Sequence, residues 1–401
     1  MQPTQEELKI MSRKQTDTSK EKDQRIQDRR SFIKGTAAGA ALVAVSPAIS
    51  LAQQDSDAHA APAVRTESRT DSEVLVGNDE HRFEVNHDFL KLPDQFNWQV
   101  THNVAVDKSG RIYVIHEGFG DQLDHPSIFV FDANGTYVDS FGSELQGGGH
   151  GLEIREEDGE EFIYASAYQS LKFITKMSLT GERVWLKRAP MQTGLFAENE
   201  DKEPTGQWGR DRYMPTNFAF PDDGGFLVAD GYGSYSIQRY DSDGNFVSHF
   251  GKEGDQDGQF NLPHGIWIDD RENETGENLI VVADRANNRL QWFKLDGSHV
   301  RTQNNFLLPA NVDVREDLML VPELKAQITL LGIDNSVVAV LGQDEDWREQ
   351  VLADNFAFRR QPDTWRDGRF LHPHDACFDA AGNIIVAEWV HGGRVTHLKR
   401  V

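Results

Sequence analysis

A short turn leads into a predicted buried strand at Leu262-Pro263-His264-Gly265-Ile266-Trp267-Ile268-Asp269. Pro263 and Gly265 flank the histidine, and the residues that follow are mostly apolar, as expected of a strand that begins at a turn. The same phrase recurs along the chain. Its histidine, or the residue in its place, stands at His102, His150, Thr216, His264, Ala310 and His374. The sequence therefore contains six copies of one structural unit.

Each unit continues as alternating strands and turns. In the clearest unit the first strand covers 265–269, a continuous apolar run covers 279–284, and an alternating segment covers 290–295. A turn at Asp296-Gly297 then precedes an outer strand. Four strands in a repeat of about 47 residues are typical of a propeller blade. We therefore predict an all-β, six-bladed β-propeller over residues 79–401.

The sixth unit has only three strands before the sequence ends at Val401. An unassigned strand at 81–89 precedes the first unit. We expect this strand to join the last blade and close the ring, because closure removes exposed sheet edges. Two inserts, at 182–213 and 343–370, lie on connections that lead to inner strands. They should surround the histidine end of the ring, as a capping wall or as an anion-attracting rim of arginines.

The first 52 residues have the features of an export signal. Asp28-Arg29-Arg30-Ser31-Phe32-Ile33-Lys34 resembles the twin-arginine motif, and Ser50-Leu51-Ala52 is a small-x-small cleavage site. The apolar run between them is too short to span a bilayer. We predict a twin-arginine signal peptide over 1–52 and a flexible linker over 53–78. The mature protein is then periplasmic or secreted and has no membrane span.

The chain of 401 residues is acidic, with 65 aspartates and glutamates against 41 lysines and arginines. This balance argues against a nucleic-acid partner, whose phosphates require a positive surface. The single cysteine, Cys377, excludes an internal disulfide. We expect a monomer.

The repeat order places three histidines in alternate blades. His150, His264 and His374 fall in the second, fourth and sixth units, and equivalent residues of a propeller face one another across the central channel. A single histidine at the start of a strand is usually structural, but three imidazoles in threefold order favour an open site for an ion such as Zn²⁺. His102 has the same position in the first blade. We expect His102 to be a fourth metal ligand, a group that supports the metal ligands, or a channel residue with no role in metal binding.

The repeats resemble the NHL-repeat propellers, and among these the peptidyl-α-hydroxyglycine α-amidating lyases. The resemblance extends from Asn97 to Val401. The matching phrases are Val228-Ala229-Asp230-Gly231-Tyr232, Gly258-Gln259-Phe260-Asn261-Leu262-Pro263-His264, Val282-Ala283-Asp284-Arg285-Ala286-Asn287-Asn288-Arg289 and His372-Pro373-His374-Asp375. The resemblance implies zinc bound by the three histidines His150, His264 and His374.

The same resemblance implies roles for further residues. Tyr232 matches the catalytic tyrosine, and Arg285 matches an arginine that binds substrate. A structural calcium ion would be held by Asp375 and by the backbone carbonyls of Leu152 and Val104. The implied reaction splits an N–C(OH) bond into an amide and glyoxylate. We therefore expect a carbon–nitrogen lyase whose partner is a small molecule or peptide with a carboxylate, which a guanidinium binds at two points.

The first blade departs from the family. The family has a further catalytic arginine in a His-Arg-Gly phrase, whereas this chain has Ile115-His116-Glu117-Gly118. Glu117 reverses the local charge, and His102 lies in the same blade. The substitution leaves open a different substrate, transfer of the anion-binding role to Arg285 or an insert arginine, or loss of the lyase activity.

Two other functions are therefore alternatives. The first is a non-catalytic NHL propeller that binds a peptide, glycan or protein on its top face. The second is a hydrolase or lactonase that holds calcium with the acidic residues at strand ends. These residues are Glu117, Asp230, Asp284, Glu323 and Glu388. For most of them the expected role is hydrogen bonding at the strand end.

Overall fold

The computed structural model describes residues 74–78, 80–271 and 276–401. The predicted signal peptide and most of the predicted linker lie outside these residues. The described chain forms six antiparallel sheets, of which five have four strands and one has five. Successive sheets pack face to face through buried apolar side chains. The prediction of an all-β, six-bladed propeller is confirmed.

Five blades take their four strands in chain order from the inside outward. The first contains β3 (Thr101–Val106), β4 (Ile112–His116), β5 (Ile128–Phe131) and β6 (Tyr137–Phe141). The second contains β7 (Gly149–Glu157), β8 (Glu160–Ala167), β9 (Phe173–Ser178) and β10 (Arg183–Lys187). The third contains β11 (Phe218–Ala219), β12 (Phe226–Ala229), β13 (Ile237–Tyr240) and β14 (Phe246–Phe250).

The fourth contains β15 (Pro263–Asp269), β16 (Leu279–Asp284), β17 (Arg289–Phe293) and β18 (His299–Asn304). The fifth contains β19 (Asp313–Arg315), β20 (Leu318–Glu323), β21 (Gln327–Leu331) and β22 (Val337–Leu341). The sixth has the order β1 (Leu75–Gly77), β2 (Arg82–Asn86), β25 (Arg394–Arg400), β24 (Ile384–Glu388) and β23 (Pro373–Phe378).

The sixth blade closes the ring as predicted. Strand β2 pairs antiparallel with β25, with Phe83 opposite Arg400. Phe83 is buried in the cluster between the fifth and sixth blades, together with Leu398 and Leu341. The predicted linker ends earlier than expected, because Leu75–Gly77 forms a fifth strand on β2. Val76 anchors this strand by packing into the same cluster.

The first insert is shorter than predicted. Arg183–Lys187 belongs to blade two as its outer strand, although a register shift between Arg183 and Trp185 interrupts its pairing with β9. Trp185 stacks on Phe226 of the next blade, with ring centroids 5.7 Å apart. The insert proper follows this strand and contains the short 3₁₀ helix Met191–Thr193.

The second insert contains the one α-helix among the described residues. Helix α1 (Glu345–Leu352) begins where the Asp344 carboxylate accepts a hydrogen bond from the Trp347 backbone N–H. Trp347 is buried and donates its indole N–H to the Phe370 carbonyl at 2.6 Å. The remaining short helices are 3₁₀ and cover Ser143–Leu145, Arg285–Asn287, Ala353–Arg360 and Pro362–Thr364. No helix in the described part of the chain is long and apolar enough to cross a membrane.

Candidate metal and catalytic site

A β-bulge presents each histidine at the start of an inner strand. The pairing of the first two strands shifts register between Thr101 and Asn103, between Gly149 and Leu152, between Pro263 and Ile266, and between Pro373 and Asp375. Each shift contains the repeat histidine. A bulge turns a side chain away from its regular position, and here the four imidazoles turn into the central channel. Gly265 lies in one bulge, where a Cβ atom would collide with the Asn311 backbone.

Three of the histidines are held in the same way. Each Nδ1 atom lies close to the backbone carbonyl oxygen of the equivalent residue in the following blade. The distances are 3.1 Å from His150 to Thr216, 2.6 Å from His264 to Ala310 and 2.7 Å from His374 to His102. A carbonyl oxygen only accepts, so each Nδ1 donates its proton and each Nε2 carries the lone pair. This arrangement fixes the tautomer that a metal ion requires at Nε2.

The three rings converge on one point. Their centroids are 4.8 Å apart for His150 and His264, 4.6 Å for His264 and His374, and 5.0 Å for His150 and His374. The Nε2 atoms of His150 and His264 are 3.1 Å apart. Tetrahedral zinc with bonds of 2.0–2.1 Å places its ligand atoms about 3.4 Å apart. The ligand atoms of His150 and His264 are therefore close enough to share a metal ion. One potential ligand atom from each of His102, His150 and His374 also lies within 4.8 Å of the others, a group that does not include His264.

The protonation states also suit a cation. Burial lowers the pKa of His150, His264 and His374 well below the usual value, and neighbouring histidines and Arg285 lower it further. The rings are thus neutral at physiological pH, and the Nε2 lone pairs of His150 and His264 face each other across 3.1 Å. Two facing lone pairs repel, and a shared cation removes the repulsion. These residues fit a divalent metal ion.

Tyr232 and Arg285 lie at the same point. The Tyr232 hydroxyl is 3.0 Å from Nε2 of His264 and 3.3 Å from Nε2 of His150. Nη2 of Arg285 donates to this hydroxyl at 3.3 Å. Burial lowers the pKa of Arg285, and its Nε has no hydrogen-bond partner among the described residues. The predicted catalytic pair is therefore assembled beside the histidines.

The first blade adds a second pair to the cluster. The His102 ring centroid is 4.8 Å from that of His150 and 4.7 Å from that of His374. Its Nε2 lies 3.2 Å from Oε2 of Glu117. Oε1 of Glu117 accepts hydrogen bonds from the Tyr168 hydroxyl at 2.7 Å and from Gln169 at 3.2 Å.

The strand register explains the orientation of Glu117. Thr101 pairs with His116 in blade one, and Pro263 pairs with Asp284 in blade four. The residues that follow these pairs, Glu117 and Arg285, are therefore equivalent, and both side chains reach the channel mouth. Glu117 is not the equivalent of the other strand-end acids with which the sequence grouped it.

Those other acids have structural roles. Asp230, Asp284 and Glu388 each accept a hydrogen bond from a backbone N–H just before an inner strand, at 2.6 to 2.7 Å, and Glu323 accepts the corresponding bond from Leu307. Asp284 and Glu388 also form buried ion pairs with Arg289 and Arg394. These contacts agree with the hydrogen-bonding role at the strand end that the sequence predicts for most of these acids.

Aromatic side chains form the wall above the histidines. The Tyr168 ring stacks on that of Tyr232 at 5.3 Å, and Trp208 of the first insert lies 5.3 Å from Tyr232. The guanidinium carbon of Arg210, in the same insert, lies 3.3 Å from the centroid of the Tyr235 ring. The Arg210 side chain also donates a hydrogen bond to the Tyr232 backbone carbonyl. The predicted capping wall is therefore present at this insert, with one guanidinium in it. Sequence reasoning missed Tyr168, although its position directly after β8, equivalent to that of Arg285 after β16, was a usable signal.

An acidic group lies behind the histidines. Asp375 accepts a hydrogen bond from the Val104 backbone N–H at 2.8 Å and another from Asn311. Burial raises the pKa of Asp375 and of Asp313 to about 7. Burial and these two carboxylates raise the pKa of Glu153, which follows Leu152, well above its usual value. A cation would relieve this repulsion, so the surroundings suit the predicted calcium site at Asp375, Leu152 and Val104, which stays a prediction.

Comparisons with known proteins indicate which proteins the chain resembles. No protein-family model matches the chain. The chain is 24% identical over 264 residues to a Caenorhabditis elegans protein named "Probable peptidyl-alpha-hydroxyglycine alpha-amidating lyase", covering 63% of this chain and 67% of that protein. It is 26% identical over 317 residues to peptidyl-alpha-hydroxyglycine alpha-amidating lyase 1 of Drosophila melanogaster, covering 71% of this chain and 54% of that protein.

A third relative is much longer than this chain. The peptidyl-glycine alpha-amidating monooxygenase of Mus musculus is 29% identical over 217 residues, which cover 48% of this chain and 20% of the mouse protein. A solved structure of a Bacteroides thetaiotaomicron protein of unknown function matches with a TM-score of 0.51 at 11% identity, covering 82% of this chain and 76% of that chain. The latter likeness concerns the fold alone. This chain is a six-bladed, NHL-like β-propeller that resembles the peptidyl-α-hydroxyglycine α-amidating lyases.

Proposed function

We propose that this protein is an exported, metal-dependent lyase that cleaves an N–C(OH) bond in a small substrate or peptide ending in a carboxylate. The products are an amide and glyoxylate, or a related oxo acid. One observation carries the proposal: the Tyr232 hydroxyl lies within 3.3 Å of two imidazole Nε2 atoms and of the Arg285 guanidinium. A titratable hydroxyl, a set of metal ligands and a cation thus meet at one buried point.

The metal ligands are His150, His264 and His374, and the ion we propose is zinc. A divalent ion held there supplies a Lewis acid that stabilises negative charge on the substrate hydroxyl oxygen. The carbonyls that accept from Nδ1 hold each ring in the tautomer whose Nε2 lone pair is available to an ion. Calcium at Asp375 and the Leu152 and Val104 carbonyls would fix the inner strands behind these rings.

Tyr232 acts as the base. Its phenolate oxygen takes the proton of the substrate hydroxyl as the C–N bond breaks and the carbon forms a C=O bond. The Tyr232 hydroxyl then returns that proton to the amide nitrogen. Arg285 donates to the Tyr232 oxygen, which favours the phenolate form of the tyrosine. The unpartnered Nε of Arg285 gives the guanidinium a free N–H for the substrate carboxylate.

Arg210 is the insert arginine best placed to assist. It lies over Tyr235 and donates to the Tyr232 backbone carbonyl, and its Nη1 is a buried donor without a partner in the described chain. It therefore supplies a second positive charge beside Tyr232. This placement supports transfer of the anion-binding role from blade one to the insert.

The decisive experiment incubates purified protein with a peptidyl-α-hydroxyglycine and measures glyoxylate. We expect release that a chelator abolishes and that zinc restores, and we expect His264→Ala to be inactive. Equal rates for wild type, His264→Ala and buffer would contradict the proposal. A protein without stoichiometric metal would instead favour the non-catalytic peptide-, glycan- or protein-binding propeller.

Export is a separate part of the proposal. It rests on Asp28-Arg29-Arg30-Ser31-Phe32-Ile33-Lys34, outside the described residues. Changing Arg29 and Arg30 to lysine should keep the protein in the cytoplasm, as judged by cell fractionation. Periplasmic or secreted product at wild-type levels would contradict twin-arginine export and leave the lyase proposal untouched.

A further inference from the structure

Six equivalent positions surround the mouth of the channel. In five blades the position directly follows the strand pair nearest the histidine end, such as Pro263 with Asp284 in blade four. Blade three is aligned on blade four by its own strand pairs. In order around the ring, the residues are Glu117, Tyr168, Gly231, Arg285, Leu324 and Trp389. Only Glu117 and Arg285 carry a formal charge, and the two charges are opposite in sign.

The two charged positions lie on opposite sides of the mouth. Glu117 belongs to blade one and Arg285 to blade four, so two blades separate them in either direction around the ring. The Tyr232 hydroxyl lies between them, 3.3 Å from Nη2 of Arg285 and 3.3 Å from Nε2 of His150. Tyr168 stacks on the Tyr232 ring at 5.3 Å and donates its hydroxyl to Glu117 at 2.7 Å. The proposed reaction centre is therefore flanked by a guanidinium on one side and a carboxylate on the other.

The charge of Glu117 is not balanced by a lysine or an arginine. Its three hydrogen-bond donors are a phenol, an amide and an imidazole, which belong to Tyr168, Gln169 and His102. No lysine or arginine pairs with it in the part of the chain that the structure describes. The buried strand-end acid Asp284, by contrast, forms an ion pair with Arg289 at 2.7 Å. A largely buried carboxylate is costly unless its charge is compensated, and the Glu117 side chain keeps 9% of its surface exposed at the mouth.

We propose that the substrate is dipolar, with its carboxylate bound at Arg285 and an ammonium group bound at Glu117. This inference rests on the proposed function and names its substrate class. The hydroxyl of the N–C(OH) unit lies at the histidines, between the two charges, so the ammonium group belongs to the acyl part of the substrate. A compound of this kind is an α-aminoacyl-α-hydroxyglycine, which has the size of a dipeptide with a free amino terminus. The two charges also fix the direction of the substrate, because the reversed molecule would place like charges together.

The test compares three α-hydroxyglycine compounds with the zinc-loaded protein. The alanyl compound has the ammonium group, the lactoyl compound has a hydroxyl in its place, and the N-acetylalanyl compound has a neutral amide. We expect kcat/KM for glyoxylate release to be about 10- to 100-fold higher for the alanyl than for the lactoyl compound, as a hydrogen bond between charged groups supplies. Glu117→Gln should make the two values nearly equal, because it keeps the shape of the side chain and removes its charge. The ratio within one variant cancels any general loss of activity.

A control and a second measurement isolate the role of Glu117. Asp124→Asn removes an exposed negative charge from the connection that follows β4, and it should leave the ratio at the wild-type value. Binding of the amide products does not depend on turnover. At about pH 6.5, where an α-amino group is protonated, calorimetry should show that wild type binds alaninamide about 10-fold more tightly than lactamide. Glu117→Gln should bind the two amides equally.

The outcomes separate this inference from the proposed function. Equal kcat/KM for the alanyl and lactoyl compounds in wild type, or a preference that survives Glu117→Gln, would overturn the dipolar substrate. Equal binding of alaninamide and lactamide by wild type would overturn it as well. Glyoxylate release from any of the three compounds would leave the proposed function intact in these cases. A folded protein that holds stoichiometric zinc and releases glyoxylate from none of them would overturn both proposals.

Discussion

At the scale of single residues, the site depends on tautomers fixed by backbone carbonyls. The three predicted ligands were accessible from sequence because the same phrase repeats, and repeat order alone places them in alternate blades. The orientation of Glu117 was not accessible in this way. It depends on the register between β3 and β4, which makes Glu117 the equivalent of Arg285. In sequence, Glu117 resembles the acids that end the second strands of other blades, but it lies one residue beyond their equivalent position. A shift of one residue along a strand reverses the side of the sheet to which a side chain points.

Replacing Tyr232 with phenylalanine tests the base. The change removes the hydroxyl between the two imidazole Nε2 atoms and keeps the ring that stacks on Tyr168. We expect kcat to fall about 10²- to 10⁴-fold, the usual contribution of a positioned base, with KM and zinc content nearly unchanged. Tyr235→Phe is the matched control, because Tyr235 lies under Arg210. A Tyr232→Phe enzyme with the wild-type rate would show that another group takes the proton.

Asp313 should give a measurable dependence of stability on pH. Burial and Asp375 raise its pKa to about 7, whereas an unfolded aspartate titrates near 3.9. The native state therefore holds the proton more tightly, and the contribution of Asp313 to the free energy of unfolding falls as pH rises from about 4 to about 7. The slope is at most about 1.4 kcal/mol per pH unit.

Asp313→Asn isolates this effect, because the amide does not titrate. In the presence of a chelator, the unfolding free energy of the variant relative to wild type should rise between pH 5 and pH 8, as measured by urea denaturation. Asp334→Asn is the control, because hydrogen bonds from Ser336 lower the pKa of that exposed carboxylate and its difference should be flat over this range. A flat difference for Asp313→Asn would show that the carboxylate is ionised throughout.

At the scale of elements, the structure differs from the sequence prediction at the blade edges. The four-strand repeat and the closing strand followed from periodicity and turn signals. Strand β1 did not, because three residues with one buried side chain, Val76, give no periodic signal. Strand β10 was hidden because its exposed Arg183 and Val184 and its register shift resemble a loop. Short edge strands are thus specified by the partner strand more than by their own sequence.

Phe83 tests the closing element. Its ring is 2% exposed and packs between the fifth and sixth blades, so Phe83→Ala leaves a cavity in the only sheet that joins the two ends of the described chain. We expect a loss of about 3–5 kcal/mol of unfolding free energy, by denaturant unfolding. Val247→Ala, at a residue 56% exposed on β14, should cost less than about 0.5 kcal/mol. Equal effects for the two variants would mean that ring closure contributes little to stability.

At the scale of the whole molecule, the proposed metal ligands come from alternate blades. The histidines belong to β7, β15 and β23, so one ion would connect three sheets that are not neighbours. Metal binding to the native state should raise stability by about 2.7 kcal/mol at 100 times the dissociation constant. We expect zinc to raise the Tm of chelator-treated wild type by several degrees in calorimetry. His264→Ala should not respond, and an equal response in both would place the ion elsewhere.

The charge of the molecule and the order of its blades were both readable from sequence, whereas the contacts across the channel were not. Those contacts depend on bulges, and a bulge is set jointly by two strands. The acidic group at Glu153, Asp313 and Asp375 is an example. Its members belong to three different blades, and nothing in their local sequence predicts that their charges interact.

The pairing of β2 with β25 has one more consequence. The strand near the start of the described chain and the strand at its end are neighbours in one sheet, with the Val401 N–H bonded to the Arg82 carbonyl. The sheets of the ring are therefore continuous at this point. The architecture does not determine which blade combines strands from the two ends of the described chain; the order of the sequence does. A circular permutant opened between two other blades would keep every sheet, and it would separate the position of the predicted leader from the blade that is completed last.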